Sequence, residues 1–358
     1  MLDIKFIREN KALVKDNAQK RGVKVEIDKL LELDEKRRQM IAEIETLRAQ
    51  QNKVSQEIAS EKNEGARQPK IEEMKKVKEN LAKLEAQFEI VEKEFNALML
   101  LLPNMMQPDT PVGMSEKDNV VLREVGKKPA FTFKPRDYLE IGKELDLIDV
   151  ERAARASGSR FGYLKNEAAQ LEFALVQLAQ EILLKEGFKF VVPPVMLKPT
   201  AFEAMGCVDT AEQKEETYFL EKDNLYLVAT SEQSLGAMHI DEVLEEKDLP
   251  LRYLGFSTCF RREAGSYGKD TKGILRVHQF DKLEMFSFTR PDDSTKEHQF
   301  LVFMEEKLMQ ELKLPYRVVQ LCSVDFARAS SSTFDIETWL PGQDGGSGQY
   351  RETHSCSN

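Results

Sequence analysis

The sequence predicts an α+β protein in which a long antiparallel helical hairpin precedes a domain built on an antiparallel sheet. Two observations support this prediction: a sustained seven-residue apolar repeat before residue 102, and a series of short strand-like runs after residue 119. Two helical patterns, at 166–188 and 297–312, interrupt those runs without regular strand-helix-strand alternation. The strands are therefore expected to pair as hairpins.

The helical hairpin is predicted over residues 27–102 as a coiled coil. Apolar residues recur every seven positions in both of its halves, which is typical of two helices that pack along one seam. The turn between the helices is expected in "SEKNEGARQPK" (60–70), since Gly and Pro end helices. The repeating residues are Leu33, Met40, Leu47 and Val54, then Met74, Leu81, Phe88, Phe95 and Leu102, with Val77, Leu84, Val91 and Leu98 as a companion series.

Basic side chains gather where this hairpin turns: Lys53, Lys62, Arg67 and Lys70. Heptads by themselves usually indicate a dimerising or spacing coiled coil. A binding arm whose basic tip meets phosphates is the alternative that these four residues favour. The pattern leaves both interpretations open.

A change of composition marks the predicted domain boundary. Residues 101–119, "LLPNMMQPDTPVGMSEKDN", replace helical periodicity with three prolines and a glycine. We expect a helical arm in residues 1–102, a linker in 103–119 and a second domain in 120–358.

Composition excludes several classes of protein. A formal net charge of −10 over 358 residues argues against a surface coated in positive charge for DNA binding. The amino terminus lacks the apolar core of a signal peptide, and the run at 97–102 is too short to cross a bilayer, so no membrane role follows. A cytoplasmic location is expected. No zinc site is expected, because the four cysteines lie far apart: Cys207, Cys259, Cys322 and Cys356.

Two stretches carry the ionic chemistry. In "RETHS" (351–355), Glu352 and Ser355 offer a carboxylate and a hydroxyl, which are the hard oxygen ligands that suit Mg²⁺ bridging phosphates. No glycine-rich phosphate loop of the dinucleotide-binding or Walker type is present in the sequence, and the glycines of 342–349 read as a polar connection.

The second stretch is "FRREAGSYGKDTKGILRVHQFDKLEMF" (260–286), which reads as two strands around a charged glycine-rich tip that includes Gly265, Gly268, Lys269 and Asp270. Side chains alternate between the faces of a strand, which predicts that Arg261 and Glu263 share one face. The same rule places five residues on another face: Arg276, His278, Phe280, Lys282 and Glu284. Such a surface suits a ligand with an anionic part, a flat ring and an amine.

This stretch resembles motif 2 of the class II aminoacyl-tRNA synthetases. Its amino-acid sequence resembles in particular that of the seryl-tRNA synthetases of the bacterial type. The resemblance extends over the whole chain. It includes the helical hairpin, "EGFKFVVPPVM" (186–196) as motif 1, "TSE" (230–232) as the TxE loop, and "RETHS". The resemblance implies a class II catalytic domain on an antiparallel sheet after the arm.

The resemblance also implies roles for individual residues at a nucleotide site. Arg261 would contact the α-phosphate of ATP as the catalytic residue, Glu263 would bind the adenine amino group, and Phe280 would stack on the ring. Arg276 would meet the terminal phosphates, and Val277 would complete this site.

An amino-acid site and a metal site follow from the same resemblance. Thr230, Glu232 and Glu284 would hold L-serine through its ammonium and hydroxyl groups. Taken alone, Thr230 and Glu232 also read as a helix cap. Glu352 and Ser355 would carry the Mg²⁺ bound to ATP.

The function that the resemblance implies is activation of serine by ATP to seryl-adenylate, followed by transfer to tRNA(Ser). It would also allow tRNA(Sec). The partners would be ATP, serine, the tRNA that the arm contacts, and a second copy of the chain joined through motif 1. The alternatives are an inactive tRNA-binding homologue, a ligase that loads a carrier protein, and a plain coiled-coil scaffold.

The chain ends at "SCSN" (355–358). The strand and helix of motif 3, with an ATP-clamping arginine and a further serine-pocket residue, would follow in the family. We therefore expect a catalytic domain that is incomplete at its carboxyl end, with an open sheet edge and uncertain activity.

Overall fold

The computed structural model describes residues 2–206, 211–264 and 272–358. The chain forms two compact units, of which the first comprises Met1–Pro108, Val112–Met114 and Ala327–Ser330. The predicted hairpin-tip residues Gly265, Gly268, Lys269 and Asp270 and the cysteine Cys207 lie outside the described residues.

Four helices build the first unit: α1 (Ile4–Glu9), α2 (Lys11–Lys20), α3 (Ile27–Ser60) and α4 (Glu64–Leu101). The two long helices confirm the predicted coiled coil. Their heptad residues form the seam, in which Met40 and Val54 of α3 and Met74 and Leu81 of α4 are buried. Nearer the base, the seam widens into an apolar core that α1 and α2 help to close.

The predicted turn of the hairpin is shorter than expected. Gly65 and Pro69 were expected to separate the helices, but both lie inside α4. Helix α4 begins early because the Asn63 side chain accepts a 2.9 Å hydrogen bond from the Gly65 N–H and caps the helix. Pro69 sits in the second turn, where it removes one backbone hydrogen bond without ending the helix.

The second unit contains the remaining helices and strands. Its helices in the described ranges are α5 (Tyr138–Glu144), α6 (Val150–Ser157), α7 (Asn166–Leu183), α8 (Pro199–Ala204), α9 (Ala211–Glu216), α10 (Ser231–Gly236) and α11 (Ser294–Glu311). Its strands there are β1 (Val120–Val125), β2 (Ile148–Asp149), β3 (Tyr163–Leu164), β4 (Lys189–Val191), β5 (Met196–Leu197), β6 (Phe219–Leu220), β7 (Leu225–Leu227), β8 (Leu251–Phe260), β9 (Gln279–Phe288), β10 (Tyr316–Gln320), β11 (Thr333–Leu340) and β12 (Gln349–Ser357).

Two sheets organise this unit. One has the strand order β1-β10-β11-β12 with every pair antiparallel, and the other has the order β4-β8-β9. The expectation of an antiparallel α+β domain is confirmed. The exception is β4, which pairs with β8 in parallel, so the chain between them must make a crossover rather than a tight turn.

The core of the second unit lies between helices α7 and α11 and the faces of both sheets. Tyr316, Ile336 and Leu254 are fully buried there, with Met304 of α11 packed in the same cluster. The predicted helices are confirmed, and Gly187 follows the first of them with a positive φ of 88°. Across the described residues, we find no helix that combines the length and the apolar character needed to span a bilayer.

Candidate active site

The β8–β9 hairpin supplies one wall of the candidate site. Ten residue pairs join its strands, from Leu251 opposite Phe288 to Phe260 opposite Gln279. Leu254 is packed in the core, with Leu283 and Met285 of β9 against the same cluster. Side chains alternate along β9, so Phe280, Lys282 and Glu284 share the opposite face, as predicted for these three.

The strands end before the other predicted members of this surface. Arg261 and Glu263 follow β8, and Arg276 and His278 precede β9. The expectation that strand alternation places these four residues is therefore wrong. Val277, which the resemblance assigned to the nucleotide site, also precedes β9. Among the described residues of the hairpin, one further backbone hydrogen bond continues the ladder, in which the Arg261 N–H donates to the His278 carbonyl at 3.0 Å. The backbone then turns away, since Glu263 has a left-handed φ of 54°.

Arg261 and Phe280 nevertheless meet at this end of the hairpin. The Arg261 guanidinium carbon lies 5.1 Å from the centre of the Phe280 ring, within the range of a cation–π contact. Its Nε donates to the Ala229 carbonyl at 3.4 Å. A planar cation and an aromatic face therefore lie together beside the loop that leads into α10.

Glu263 and Arg276 form an ion pair. Arg276 Nη1 donates to Glu263 Oε2 at 2.6 Å, and Nη1 of Arg160 lies 3.9 Å from the same oxygen. The Glu263 side chain is only 10% exposed, so two arginines compensate a mostly buried carboxylate. Arg160 was not predicted as part of this surface, because it precedes the hairpin by about a hundred residues and no local pattern marks it.

Thr230 stands at the N-terminus of α10 and links that helix to β9. Its Oγ1 accepts a hydrogen bond from the Glu232 N–H at 3.2 Å, so Thr230 is the helix cap that its sequence also suggested. The same hydroxyl donates to Glu284 Oε2 at 2.7 Å. The cap thus places Thr230 in contact with the predicted serine ligand Glu284.

Lys282 completes this contact. Its Nζ donates to Thr230 Oγ1 at 3.0 Å and forms an ion pair with Glu284 Oε2. Strand alternation had placed Lys282 on this face, but no role had been predicted for it. The three side chains form a closed cluster, which we call the Thr230–Lys282–Glu284 cluster.

A close approach of α10 to β8 holds this cluster in place. Gly255 lies opposite Glu284 in the β8–β9 ladder. A Cβ at Gly255 would lie 2.8 Å from Leu235 Cδ1 and 3.1 Å from Ser231 Oγ, and both of those residues are buried. The absence of a side chain at Gly255 therefore allows the helix to pack against the strand.

Glu232 lies beside this cluster with its carboxyl towards the same charges. Its side chain keeps solvent-exposed surface, yet the protein around the carboxyl raises its pKa, and the negative charge of Glu284 raises it further. Lys282 and Arg261 act in the opposite direction. The site therefore presents neighbouring carboxylates that favour a cationic ligand.

Strand β12 carries Glu352 and Ser355 and was not predicted as a strand. Its register with β11 shifts by one residue, because Glu337 pairs with Glu352 while Ile336 pairs with His354. Thr353 is thus the extra residue of a β-bulge. The bulge puts Glu352 and Ser355 on the face shared by Asp335 and Glu337.

Asp335 adds an oxygen ligand to this face. Its carboxyl accepts from the Ser355 hydroxyl. Burial, with a smaller contribution from the negative charge of Glu352, raises the pKa of Asp335 to about 7. Asp335 Oδ1 is buried and has no hydrogen-bond partner among the described residues. The protein around the Glu352 carboxyl likewise raises its pKa, whereas Arg261 lowers it.

These oxygens fit a hard divalent cation. A positive ion beside Glu352 and Ser355 would relieve the repulsion between Glu352 and Asp335 and satisfy the oxygen that lacks a partner. Within the described ranges, no group of three or more His, Cys, Asp or Glu side chains is arranged as a complete metal site. The remaining ligands of such an ion would have to come from elsewhere, and phosphate oxygens suit that part.

The basic residues of the arm lie around the turn between α3 and α4. Lys53, Lys62 and Arg67 are exposed. Lys70 Nζ instead lies 3.3 Å from Glu61 and 3.7 Å from Glu57. The charge of Lys70 is therefore largely compensated within the arm.

Comparisons with known proteins agree in both units. Residues 1–106 match the seryl-tRNA synthetase N-terminal domain. Residues 217–358 match the tRNA synthetase class II core domain (G, H, P, S and T).

Full-length relatives give the same result. A serine-tRNA ligase of Dictyoglomus turgidum is 43% identical over all of this chain and 84% of its own length. The seryl-tRNA synthetase of Pyrococcus horikoshii, in a crystal structure complexed with ATP, is 38% identical with a TM-score of 0.87, covering all of this chain and 84% of that one. The cytoplasmic serine-tRNA ligase of Naegleria fowleri, in complex with AMP, is 31% identical with a TM-score of 0.84, covering all of this chain and 83% of that one. The chain belongs to the seryl-tRNA synthetase family of class II aminoacyl-tRNA ligases.

Proposed function

We propose that this chain activates L-serine with ATP to seryl-adenylate and transfers the seryl group to tRNA(Ser). The observation that supports this most is that Lys282 and Glu284 of the Thr230–Lys282–Glu284 cluster share strand β9 with Phe280, over which Arg261 lies. One surface thereby offers a carboxylate for an amino acid's ammonium group, and a cation and an aromatic ring for a nucleotide. The relatives named as serine-tRNA ligases support the same substrates.

In the first proposed step, a carboxylate oxygen of serine attacks the α-phosphorus of ATP. The bond between that phosphorus and the oxygen bridging to the β-phosphate breaks, and pyrophosphate leaves. Arg261 donates to the α-phosphate oxygens and stabilises the charge that develops on them. Glu284 and Thr230 hold the ammonium group of serine, so that its carboxylate is oriented for attack.

In the second step, a ribose hydroxyl of the tRNA's terminal adenosine attacks the carbonyl carbon of seryl-adenylate. The new ester bond forms as the hydroxyl proton passes to a phosphate oxygen of the adenylate, and AMP leaves with the electron pair of the broken bond. Catalysis in both steps consists of orientation and electrostatic stabilisation, without a covalent bond to the protein.

Glu352 and Ser355 are the residues that would hold Mg²⁺. Bound there, the ion supplies positive charge to the phosphates of ATP. The bulge that places both side chains on one face, together with the partnerless Oδ1 of Asp335, supports this assignment.

The remaining nucleotide contacts need a rearrangement of one ion pair. Glu263 is proposed for the adenine amino group and Arg276 for the terminal phosphates, yet the two side chains contact each other. Binding of ATP would separate them and replace their mutual contact with contacts to the nucleotide. Val277 is also proposed to lie at the nucleotide site, since it follows Arg276 directly in the chain.

We propose three parts of the chain: a tRNA-binding arm in residues 1–102, a linker in 103–119 and a catalytic domain in 120–358. Lys53, Lys62 and Arg67 are the arm residues available to tRNA phosphates. Lys70 contributes less, because Glu57 and Glu61 lie beside it.

A homodimer and a cytoplasmic location complete the proposal. Apolar side chains of α7 and of the segment after β4 are exposed, including Phe173 at 64% and Val192 at 71%. Contiguous exposed apolar surface is typical of an interface between protein chains. Sedimentation at micromolar concentration tests this, and a monomer would contradict it.

Serine-dependent exchange of pyrophosphate into ATP by the 358-residue chain tests the first step, with Arg261→Ala as the blank. We expect exchange with serine above that blank. Folded protein that binds tRNA(Ser) but supports no exchange would instead identify an inactive tRNA-binding homologue. Charging of tRNA(Ser) and tRNA(Sec) transcripts then tests the second step and its range.

A further inference from the structure

Lys282 lies at the centre of the proposed amino-acid site. Its ammonium group contacts both Thr230 Oγ1 and Glu284 Oε2. The Lys282 side chain is 34% exposed and that of Glu284 is 14% exposed, so the ion pair is partly shielded from solvent. Shielding strengthens such a pair relative to one on the open surface.

The two oxygens that Lys282 contacts are those that the amino acid would need. An α-ammonium group is chemically the same donor as the ammonium group of lysine, with three N–H groups and no acceptor. Because Thr230 already donates to Glu284 Oε2, that oxygen has little capacity left for two ammonium groups at once. The α-ammonium group of the substrate would therefore take over the contact that Lys282 makes with Glu284.

The positive charge of Lys282 also interacts electrostatically with the other acidic groups of the site. It opposes the increase in pKa that the surrounding protein causes at the carboxyl groups of Glu232, Glu305 and Glu352. Glu305 of α11 is buried, and its Oε2 has no hydrogen-bond partner among the described residues. Lys282 thus provides positive charge to a region rich in carboxylates. The titratable groups that interact with Lys282 or Glu284 are Glu232, Cys259, Glu305, Glu352, His354 and Cys356.

We propose that Lys282 is a positioning residue of the amino-acid site: its ammonium group holds Thr230 and Glu284 ready for a ligand's ammonium group, and it yields Glu284 to the α-ammonium group of the amino acid. The proposal rests on the proposed function, since it concerns the serine site. It assigns Lys282 to substrate recognition, while the reacting atoms are left to other residues.

Three variants test the proposal: Lys282→Met removes the charge, Lys282→Arg keeps it, and Lys222→Met is a control at an exposed lysine in the turn after β6. Serine-dependent pyrophosphate exchange is measured over a range of serine concentrations. Without the lysine ammonium group, Thr230 and Glu284 are no longer held ready for the ligand, so the KM for serine of Lys282→Met should increase by about tenfold or more. We expect kcat to change less than KM.

Lys282→Arg should retain a KM for serine close to that of the wild type, and Lys222→Met should match the wild type throughout. An unchanged KM in Lys282→Met, with or without a loss of kcat, would overturn the proposal. Thermal unfolding of each variant separates these results from misfolding. If Lys282→Met does not fold, a Lys282→Arg protein whose KM is raised by about tenfold would contradict the proposal by itself.

Equilibrium binding of L-serine, measured by calorimetry without ATP or tRNA, distinguishes this inference from the proposed function. It needs no reaction, so it remains informative even where the wild type supports no exchange. We expect Lys282→Met to bind serine more weakly than the wild type does. Equal binding by the two proteins would exclude the positioning role of Lys282, whatever the enzyme activity.

Discussion

Glu352 and Ser355 project from the same face of β12 although three positions separate them. In a regular strand, residues at this spacing lie on opposite faces. The extra residue Thr353 reverses the alternation between them. The pair of oxygen ligands proposed for Mg²⁺ thus depends on a β-bulge.

Removing the Glu352 carboxylate should weaken the binding of Mg²⁺ at this face of β12. In Glu352→Gln, we expect the Mg²⁺ concentration that gives half-maximal pyrophosphate exchange to increase by about tenfold or more, since a neutral amide binds a hard cation less strongly. The measurement is exchange rate against Mg²⁺ concentration at saturating ATP and serine. Glu221→Gln, at an exposed glutamate after β6, is the control, and equal Mg²⁺ dependence in both variants would contradict the assignment.

Arg261→Ala should slow serine-dependent pyrophosphate exchange by roughly 10²–10³-fold, the range for loss of one donor to a developing charge. Arg261→Lys keeps the charge but lacks the planar group that lies over Phe280, so it should recover only part of the rate. Arg290→Ala, at an exposed arginine beyond β9 that pairs with Glu246, should leave exchange unchanged. Exchange by Arg261→Ala at the wild-type rate would remove Arg261 from the mechanism.

Glu172 of α7 predicts a pH dependence of stability. Burial and, to a smaller extent, a hydrogen bond with Asp281 of β9 together raise the pKa of Glu172 to about 7. An unfolded glutamate has a pKa of about 4.3, so between these values the native state binds the extra proton. The stabilising effect of that proton is complete below the unfolded pKa and is lost as pH increases through about 7.

Glu172→Gln should therefore raise the Tm relative to the wild type at pH 8 and have little effect at pH 4. Thermal unfolding at both pH values measures the difference. Glu181→Gln, at an exposed glutamate of the same helix, provides the control. A gain of stability in Glu172→Gln that is equal at the two pH values would show that repulsion from Asp281 is not its cause.

Reversal of charge at the arm tip should separate tRNA binding from adenylate formation. In the double variant Lys62→Glu with Arg67→Glu, we expect weaker binding of tRNA(Ser) and a less steep dependence of the affinity on salt, because fewer phosphate contacts release fewer counterions. Pyrophosphate exchange should stay at the wild-type rate. Lys93→Glu, at an exposed lysine paired with Glu89 in α4, is the control, although it makes half of the double variant's change in net charge.

Tight binding of tRNA by the double variant would place the contact elsewhere. Equal weakening by Lys93→Glu would show that total charge, rather than the tip, governs the affinity. Filter binding at several salt concentrations measures both quantities.

The sequence by itself determined the features that depend on local periodicity. Seven-residue spacing was sufficient for α3 and α4, and alternation was sufficient to place Phe280, Lys282 and Glu284 on one face of β9. In both cases, the residues that share a surface are close in the chain, so the geometry of one element decides the outcome.

Only the tertiary structure decided the contacts between distant segments. Sequence periodicity misplaced Arg261, Glu263 and Arg276, since the ladder ends at Phe260 and Gln279 and Glu263 adopts a left-handed backbone. The contact of Thr230 with Glu284 requires α10 to pack on β8, and the shared face of Glu352 and Ser355 requires a bulge that pairing with β11 reveals. Such contacts depend on how separate elements pack and pair, which the period of one strand or helix does not specify.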